Sequence, residues 1–171
     1  MKSVITIDTL RENENEKDQV RQLLVESYSQ YQESYENPQD WLNYAARLND
    51  SVDNPLVNKI LVARESDAVL GTLQLFLDSE SAYNRPDLEI SSPIIRMLAV
   101  SPAARGKGIA QALIMESINY VREKGANHIY LHTSDKMASA IRLYEWLGFQ
   151  RDTSKEFNKL NYIVKCYRYD L

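Results

Sequence analysis

The stretch Arg-Gly-Lys-Gly-Ile-Ala at positions 105–110 has the residue types of an anion-binding turn. Gly106 and Gly108 have no Cβ, so the main chain can approach a ligand closely there. A helical pattern of apolar residues begins directly after them, and the first turn of a helix has N–H groups without intrahelical partners. Each hydrogen bond from an N–H group to a charged oxygen contributes about 1.5–3 kcal/mol to the binding free energy. The stretch therefore predicts a binding site for a phosphate group.

Two common phosphate-binding motifs fit this stretch poorly. A Walker loop requires Ser or Thr directly after its Gly-Lys pair, and Gly106-Lys107 is followed by Gly108. A dinucleotide fingerprint requires a small residue three positions after its second glycine, where this chain has Gln111. Another phosphate ligand, or a tight strand-to-helix turn that binds nothing, stays open at this point.

The elements around the turn are predicted to be a strand, a helix and a second strand. The apolar run at 94–100 indicates a buried strand, and the apolar spacing after the turn indicates a helix that stops at Gly125. A second apolar run follows at 128–133. Strand, helix and strand with short connections predict a right-handed parallel unit, with Val100 and Thr133 at its ligand-binding edge.

The rest of the chain alternates between strand and helix patterns, which predicts one mixed α/β domain over residues 1–171. Strand patterns cover 4–8, 60–64, 69–75 and 162–169, and helical patterns cover 20–31, 38–48 and 137–147. The polar segment 78–92 is predicted to be a long loop, either flexible or involved in recognition of an acceptor. Its candidate residues are Tyr83, Asn84, Arg85, Asp87 and Glu89.

The composition indicates a soluble protein of ordinary size. The formal net charge of −4 argues against a general nucleic-acid or anionic-membrane surface and mildly favours a cationic substrate. The single cysteine, Cys166, cannot form an internal disulfide and is expected in the core. The stretch Met1–Asp8 has no apolar leader pattern, and no run reaches the roughly 18 apolar residues that span a bilayer. We therefore expect a cytoplasmic protein.

A tyrosine-rich and acidic segment lies between the first two helical patterns. It contains Tyr28, Tyr31, Glu33, Tyr35 and Glu36. These side chains are suited to line a pocket for an amine. Packing of half-buried tyrosines with hydrated hydroxyls is an equally good interpretation.

Two motifs together resemble the GNAT superfamily of N-acetyltransferases. The first is Arg105-x-x-Gly108-x-Ala110 after Leu98-x-Val100, and the second is Ala140-x-x-Leu143-Tyr144-x-x-x-Gly148-Phe149. The resemblance implies a mixed central sheet of about six to seven strands flanked by helices, with a parallel β-α-β unit around the glycine turn. It also implies that the turn holds the pyrophosphate of acetyl-CoA, while the pantetheine arm pairs with the main chain near Leu98 and Val100. The implied cofactor-binding residues are Leu98, Ala99, Val100, Arg105, Gly106, Lys107, Gly108, Ile109, Ala110, Ser139 and Tyr144.

The resemblance places the tyrosine of the family at Tyr144, which we interpret as the general acid. A thiolate leaving group has a pKa near 8.5 and a tyrosine hydroxyl has a pKa near 10, so the phenol is a nearly matched proton donor. Packing on an apolar helix face is the other interpretation of Tyr144.

An amine of pKa about 10.4 costs about 4.6 kcal/mol to deprotonate at neutral pH, so a base is required. Glu89 is the first candidate for that base, followed by His132 and Glu26.

One departure from the family pattern concerns Met137, where the family commonly has an asparagine that contacts the cofactor arm. Ser134 or Ser139 is suited to substitute for it.

No cysteine lies in either motif, so we expect the amine to attack acetyl-CoA directly in a ternary complex. The expected acceptor is a small-molecule or peptide amine, and no metal, nucleic acid or membrane partner is expected. Two alternative functions stay open, a non-catalytic acyl-CoA sensor and a nucleotide-phosphate binding module. A homodimer also stays open as the oligomeric state.

Overall fold

The computed structural model describes residues 4–159 and 162–171, and the side chain at position 136 is outside this description. Of the stretch Met1–Asp8, the first three residues therefore lie outside the described residues. The strands are β1 Ile5–Thr9, β2 Lys59–Glu65, β3 Ala68–Phe76, β4 Ile94–Val100, β5 His128–Thr133, β6 Gln150–Arg151, β7 Phe157–Lys159 and β8 Tyr162–Asp170. The α-helices are α1 Glu14–Tyr28, α2 Pro38–Asp50, α3 Ser79–Tyr83, α4 Ile109–Glu123 and α5 Ala138–Leu147.

The strands form one mixed sheet of eight strands in the order β1-β2-β3-β4-β5-β8-β6, with β7 paired to β8. β4 and β5 are parallel, as the β-α-β prediction requires, and Ile94 pairs with Tyr130. The other registers described, β1 with β2 and β8 with β5, β6 and β7, are antiparallel. The predicted mixed α/β class is confirmed. The sheet has more strands than expected because β6 and β7 are too short to show an alternating pattern.

The chain forms two compact units. The first comprises Met1–Pro55, Lys59–Gln74 and Met97–Ile114, and the second comprises Leu56–Asn58, Leu75–Arg96 and Met115–Leu171. The strands β3 and β4 and the helix α4 each contribute residues to both units. The expectation of a single domain over 1–171 stays a prediction.

In the first unit, α1 and α2 begin where the sequence places capping residues. The Asn13 side chain accepts a hydrogen bond from the Glu16 N–H group, and Asn37 does the same for Gln39 ahead of a helix that starts with Pro38. α1 ends at Tyr28, and the next six residues form a 3₁₀ helix, Ser29–Ser34. The helical pattern predicted over 20–31 therefore covers two elements. The apolar face of α1 is buried through Val20, Leu23 and Leu24.

A buried ion pair joins β2 to α1 in the first unit. Arg64 and Glu16 are both about 3% exposed, and an Arg64 Nη2 atom lies 2.5 Å from Glu16 Oε1. The same guanidinium donates to the main-chain oxygen of Thr9 at 2.7 Å. Burial works to raise the pKa of Glu16, but the hydrogen bonds from Arg64 and from the Arg11 N–H group outweigh it and lower that pKa.

In the second unit, the segment predicted as a long loop is largely ordered. It contains α3 and a 3₁₀ turn at Pro86–Leu88. The segment is held by its few apolar side chains, Ala82, Leu88 and Ile90, which are buried in one cluster with Cys166. The thiol lies in the core as expected. Within the described ranges, no helix is both long and apolar enough to cross a membrane.

Candidate active site

The glycine turn is an open cradle in front of α4. After β4, a 3₁₀ turn at Pro102–Ala104 leads to Gly106 and Gly108, whose φ angles are +83° and +73°. These left-handed conformations favour glycine, and a Cβ added at either position would meet nothing within 4 Å. The space in front of both residues is therefore open.

The donors at this turn suit a diphosphate. The first helical hydrogen bond of α4 runs from the Ala112 N–H group to the Gly108 carbonyl oxygen at 3.0 Å. The N–H groups of the turn before it have no acceptor within the helix. Arg105 and Lys107 are exposed beside the glycines and supply positive charge. Main-chain donors, a helix N-terminus and two cations together fit the pyrophosphate of a coenzyme A molecule.

The position of α4 depends on a glycine that sequence analysis did not single out. A Cβ on Gly71 in β3 would lie 2.7 Å from Cγ2 of Ile109 and 3.1 Å from Cδ1 of Leu113. The first turn of α4 therefore packs against the bare main chain of Gly71. The only signal in the sequence is a lone glycine inside a strand pattern, which often marks a close approach of another segment.

The strand β4 has an irregular residue at its middle, and its C-terminal half accepts two hydrogen bonds from α1. Met97 has φ of +55°, which is uncommon for a residue with a side chain. Beyond it, the carbonyl oxygen of Leu98 accepts a bond from the Tyr28 hydroxyl at 3.0 Å, and that of Val100 accepts one from Ser27 Oγ at 3.2 Å. The carbonyl oxygens of the main chain that the resemblance assigns to the pantetheine arm are thus already hydrogen-bonded from α1.

Five aromatic rings form an aromatic cluster in the first unit, and Tyr44 lies at its centre. The ring centroid of Tyr44 lies 6.0 Å from that of Tyr28 and 6.3 Å from those of Tyr35 and Trp41. Tyr31 completes the cluster at 6.3 Å from Tyr28. The four tyrosines are half-buried. The tyrosine-rich segment predicted from the sequence is thereby brought together, with Trp41 and Tyr44 added from α2.

Burial and charge both act on Tyr31. Burial raises the pKa of the Tyr31 hydroxyl, and the positive charge of Arg105 opposes that rise. Tyr31 is therefore the member of the aromatic cluster whose pKa responds to the charge of Arg105.

In the second unit, Tyr144 lies on the buried face of α5. It is 7% exposed, and its ring centroid lies 6.0 Å from that of Phe149. The helix ends at Gly148, which has φ of +106°. This placement suits both interpretations of Tyr144, packing and proton donation.

The residues around the start of α5 differ in exposure. Ser139 is exposed and accepts a hydrogen bond from Arg142 at 3.3 Å. The sulfur of Met137 lies 3.4 Å from the Thr133 hydroxyl, which donates to it. The thioether is thus engaged with the end of β5. Of the two serines suited to substitute for the family's asparagine, Ser134 is half-buried and Ser139 is exposed.

The three candidate bases have different surroundings. Glu89 is exposed, has φ of +53°, and its main-chain oxygen accepts a bond from Lys155 Nζ at 3.2 Å. Glu26 is exposed on α1. His132 has Nε2 3.0 Å from the Lys155 carbonyl oxygen and Nδ1 3.0 Å from the Tyr83 hydroxyl.

The carbonyl oxygen fixes the tautomer of His132. Since a carbonyl only accepts, Nε2 carries the proton and the Tyr83 hydroxyl donates to Nδ1. Burial lowers the pKa of His132, which favours this neutral form. No group of His, Cys, Asp and Glu side chains in the part of the chain described here is arranged to hold a metal ion.

Comparison with known proteins identifies the same family along most of the chain. The profile described as "Acetyltransferase (GNAT) family" matches residues 17–149. The chain is 30% identical over 121 residues to N-acetyltransferase 8B of Rattus norvegicus, which covers 66% of this chain and 52% of that protein. It is 37% identical over 92 residues to the mycothiol acetyltransferase of Renibacterium salmoninarum, covering 54% of this chain and 26% of that protein. The chain therefore spans about half, or less, of the length of these relatives.

Solved structures share the fold over almost the whole chain. A GNAT-family acetyltransferase from Desulfovibrio desulfuricans has a TM-score of 0.72 with 18% identity, covering 98% of this chain and 99% of that one. An aminoglycoside 6'-N-acetyltransferase complexed with coenzyme A has a TM-score of 0.67 with 20% identity, covering 96% of each chain. At these identities the likeness shows the fold alone.

Proposed function

Since this chain belongs to the acetyltransferase (GNAT) family, we propose that it transfers an acetyl group from acetyl-CoA to a primary amine. The observation that carries the proposal is the open glycine turn, where Gly106 and Gly108 leave room for a ligand beside the exposed Arg105 and Lys107. Acetyl-CoA supplies an activated acetyl group as a thioester. The turn binds its pyrophosphate, and the strand before the turn, Leu98 to Val100, lies along its arm.

The arm contacts β4 through two kinds of main-chain groups. The carbonyl oxygens of Leu98 and Val100 each have a second lone pair beside the bonds from Tyr28 and Ser27, and the N–H groups of β4 are donors. An N–H group near Val100 is suited to polarise the thioester carbonyl as its oxygen gains negative charge. Ala99, Ile109, Ala110 and Ser139 complete the proposed cofactor contacts.

Tyr144 is the proposed general acid. The neutral amine attacks the thioester carbon, a C–N bond forms and the C–S bond breaks. The departing thiolate takes the proton of the Tyr144 hydroxyl, and the proton lost by the amine passes to a base and to solvent. Attack is direct within a ternary complex. The buried Cys166 does not serve as a relay, because burial strongly raises the pKa of its thiol.

Glu89 is the proposed base. Its exposed carboxylate can take a proton directly or through a water molecule. His132 ranks after it because both ring nitrogens are engaged within the protein. Glu26 ranks last, as an exposed side chain on a helix surface.

The acceptor is an amine on a small molecule or a peptide. Among the structural neighbours, one is an aminoglycoside acetyltransferase and another is a NatC complex bound to a Gag peptide and CoA. We also propose a cytoplasmic location, on the ground of the single cysteine, which forms no internal disulfide.

The test is release of free thiol from acetyl-CoA across amine classes. We expect wild-type turnover, a fall in kcat of roughly 10²-fold or more in Tyr144→Phe, and a similar but smaller fall in Glu89→Gln. Tyr167→Phe is the matched control, since Tyr167 is also a buried tyrosine, and it should stay within about twofold of wild type.

Each outcome decides a different part of the proposal. Binding of acetyl-CoA without thiol release for any amine would reject the enzyme in favour of a sensor. A stabilising shift with ATP or NAD but none with coenzyme A would select a nucleotide-phosphate module. Undiminished turnover in Tyr144→Phe across pH would reject Tyr144 as the acid.

A further inference from the structure

We propose that the aromatic cluster of Tyr28, Tyr31, Tyr35, Trp41 and Tyr44 binds a second, non-reacting ammonium group of the acceptor. The acceptor class is then an aliphatic diamine or a longer polyamine. This inference rests on the proposed function, because it assigns the substrate of that same reaction.

The cluster has the geometry of a cation-binding surface. Tyr35 and Tyr44 are stacked at 29°, while Tyr28 meets Tyr44 edge-on at 81°. Ring faces therefore point in different directions around Tyr44. A cation within about 6 Å of a ring centroid is attracted by the negative face of the ring. Arg47 already uses this attraction, since its Cζ atom lies 5.5 Å from the centroid of Tyr44.

The charge of the surrounding chain favours a cation as well. Residues 22–47 contain four acidic residues, Glu26, Glu33, Glu36 and Asp40, and one cation, Arg47, so the local charge is negative even with Arg47 over the Tyr44 ring. Glu33 and Glu36 are exposed beside the half-buried tyrosines. An exposed acidic rim raises the local concentration of cations and gives binding a salt dependence.

The cluster is joined to the strand that the acyl donor uses. Tyr28 belongs to the cluster and donates to the Leu98 carbonyl oxygen at 3.0 Å. Tyr31 belongs to it and lies within electrostatic range of Arg105. Both links lie within the first unit. The hydrogen bond from Tyr28 therefore places a group held by these rings close to the donor strand.

The chemistry of the reaction decides which amine the rings hold. The attacking amine must lose its charge before it attacks, and a group without charge gains nothing from a cation–π contact. A site that selects for positive charge must therefore hold an ammonium group other than the one that reacts. This requirement favours acceptors with two amines over acceptors with one.

The experiment compares α,ω-diaminoalkanes of increasing chain length with monoamines of the same carbon count, by thiol release from acetyl-CoA. We expect kcat/KM for the best diamine to exceed that of its monoamine by about tenfold or more, and to fall with added salt. Tyr44→Leu should lower kcat/KM for the diamine about fivefold and for the monoamine less than twofold, mainly through KM. Tyr44→Phe keeps the ring and should retain the preference.

Tyr120→Leu is the matched control. Tyr120 is also a half-buried tyrosine on a helix with a cation over its ring, Lys124 at 5.7 Å, and it lies outside the cluster. Its variant should keep the wild-type preference for diamines. Coenzyme A affinity and thermal unfolding of each variant show whether its fold is intact.

The same assay distinguishes a wrong second-ammonium site from a wrong proposed function. If no amine releases thiol, the proposed function fails first. If monoamines and diamines turn over equally, or Tyr44→Leu weakens both equally at unchanged coenzyme A affinity, the enzyme stands and the second-ammonium site is rejected.

Discussion

Replacing Gly71 with alanine should weaken coenzyme A binding although Gly71 belongs to a strand under the helix. The added Cβ would lie 2.7 Å from Cγ2 of Ile109, 3.1 Å from Cδ1 of Leu113 and 3.3 Å from the Ala99 carbonyl oxygen. Carbon atoms prefer separations of about 3.5–4.0 Å, so the helix must move by about 1 Å. Ile109 cannot rotate away freely because a β-branched residue in a helix has one strongly preferred rotamer.

The Gly71→Ala substitution should lower both the stability of the fold and the affinity for coenzyme A. Overpacking in a filled core costs about 1–3 kcal/mol of folding free energy, which lowers Tm by roughly 2–4 °C per kcal/mol in a chain of this size. Ile109 directly follows Gly108, so the same movement displaces the N–H donors of the glycine turn. A misplacement of about 1 Å can cost up to about 10²-fold in function, and we expect coenzyme A affinity to fall about tenfold.

The assay is calorimetric titration of coenzyme A together with thermal unfolding. Gly125→Ala is the control, because Gly125 has φ of +85° and an added Cβ there would meet nothing within 4 Å. This control should lose stability from backbone strain and keep its coenzyme A affinity. Adding Ile109→Ala to Gly71→Ala removes the clashing Cγ2 and should recover part of the lost affinity. Wild-type affinity in a folded Gly71→Ala variant would refute the reasoning.

Three further predictions concern other parts of the chain. Glu16→Gln should cost about 3 kcal/mol at neutral pH, because it leaves the buried Arg64 with only the exposed Asp8 carboxylate, 3.7 Å away, as a counter-charge. The pKa of Glu16 is lowered in the folded state, so the contribution of Glu16 to the free energy of unfolding is complete above the unfolded pKa of about 4.3. That contribution is lost as the pH falls through the folded pKa. The stability of the variant, measured by acid unfolding, should therefore depend less steeply on pH. Cys166 should resist thiol reagents in the native protein and react after denaturation, as a colorimetric thiol assay checks. Gly108→Ala should cost about 1 kcal/mol of stability and weaken coenzyme A binding, whereas Gly125→Ala should cost only stability.

Secondary-structure elements whose ends are marked by capping or turn residues could be predicted from the sequence. Asn37 ahead of Pro38 predicted the start of α2, and the strand-turn-helix pattern around Gly106 predicted the turn between β4 and α4, where Gly106 and Gly108 have positive φ. Each of these depends on residues a few positions apart. Propensity and capping are local, so a single sequence is enough to indicate them.

Contacts between distant segments could not be predicted in this way. The bond from Tyr28 to Leu98 joins residues 70 positions apart, and no spacing in the sequence marks it. The positive φ of Met97 is also hidden, because methionine has no preference for that conformation. The segment 78–92 was predicted to be a loop, since its anchors Leu88 and Ile90 are too few to form a periodic pattern.

The two adjacent donors at the end of α1 restrict how that helix can change its length. Ser27 and Tyr28 bond to two carbonyl groups of one strand, and the Asn13 cap fixes the other end of the helix. One residue inserted between these ends would rotate the last turn by about 100° and remove both donors from their acceptors. Descendants of this chain should therefore vary in length at the Ser66 turn, and α1 should keep its number of residues through divergence.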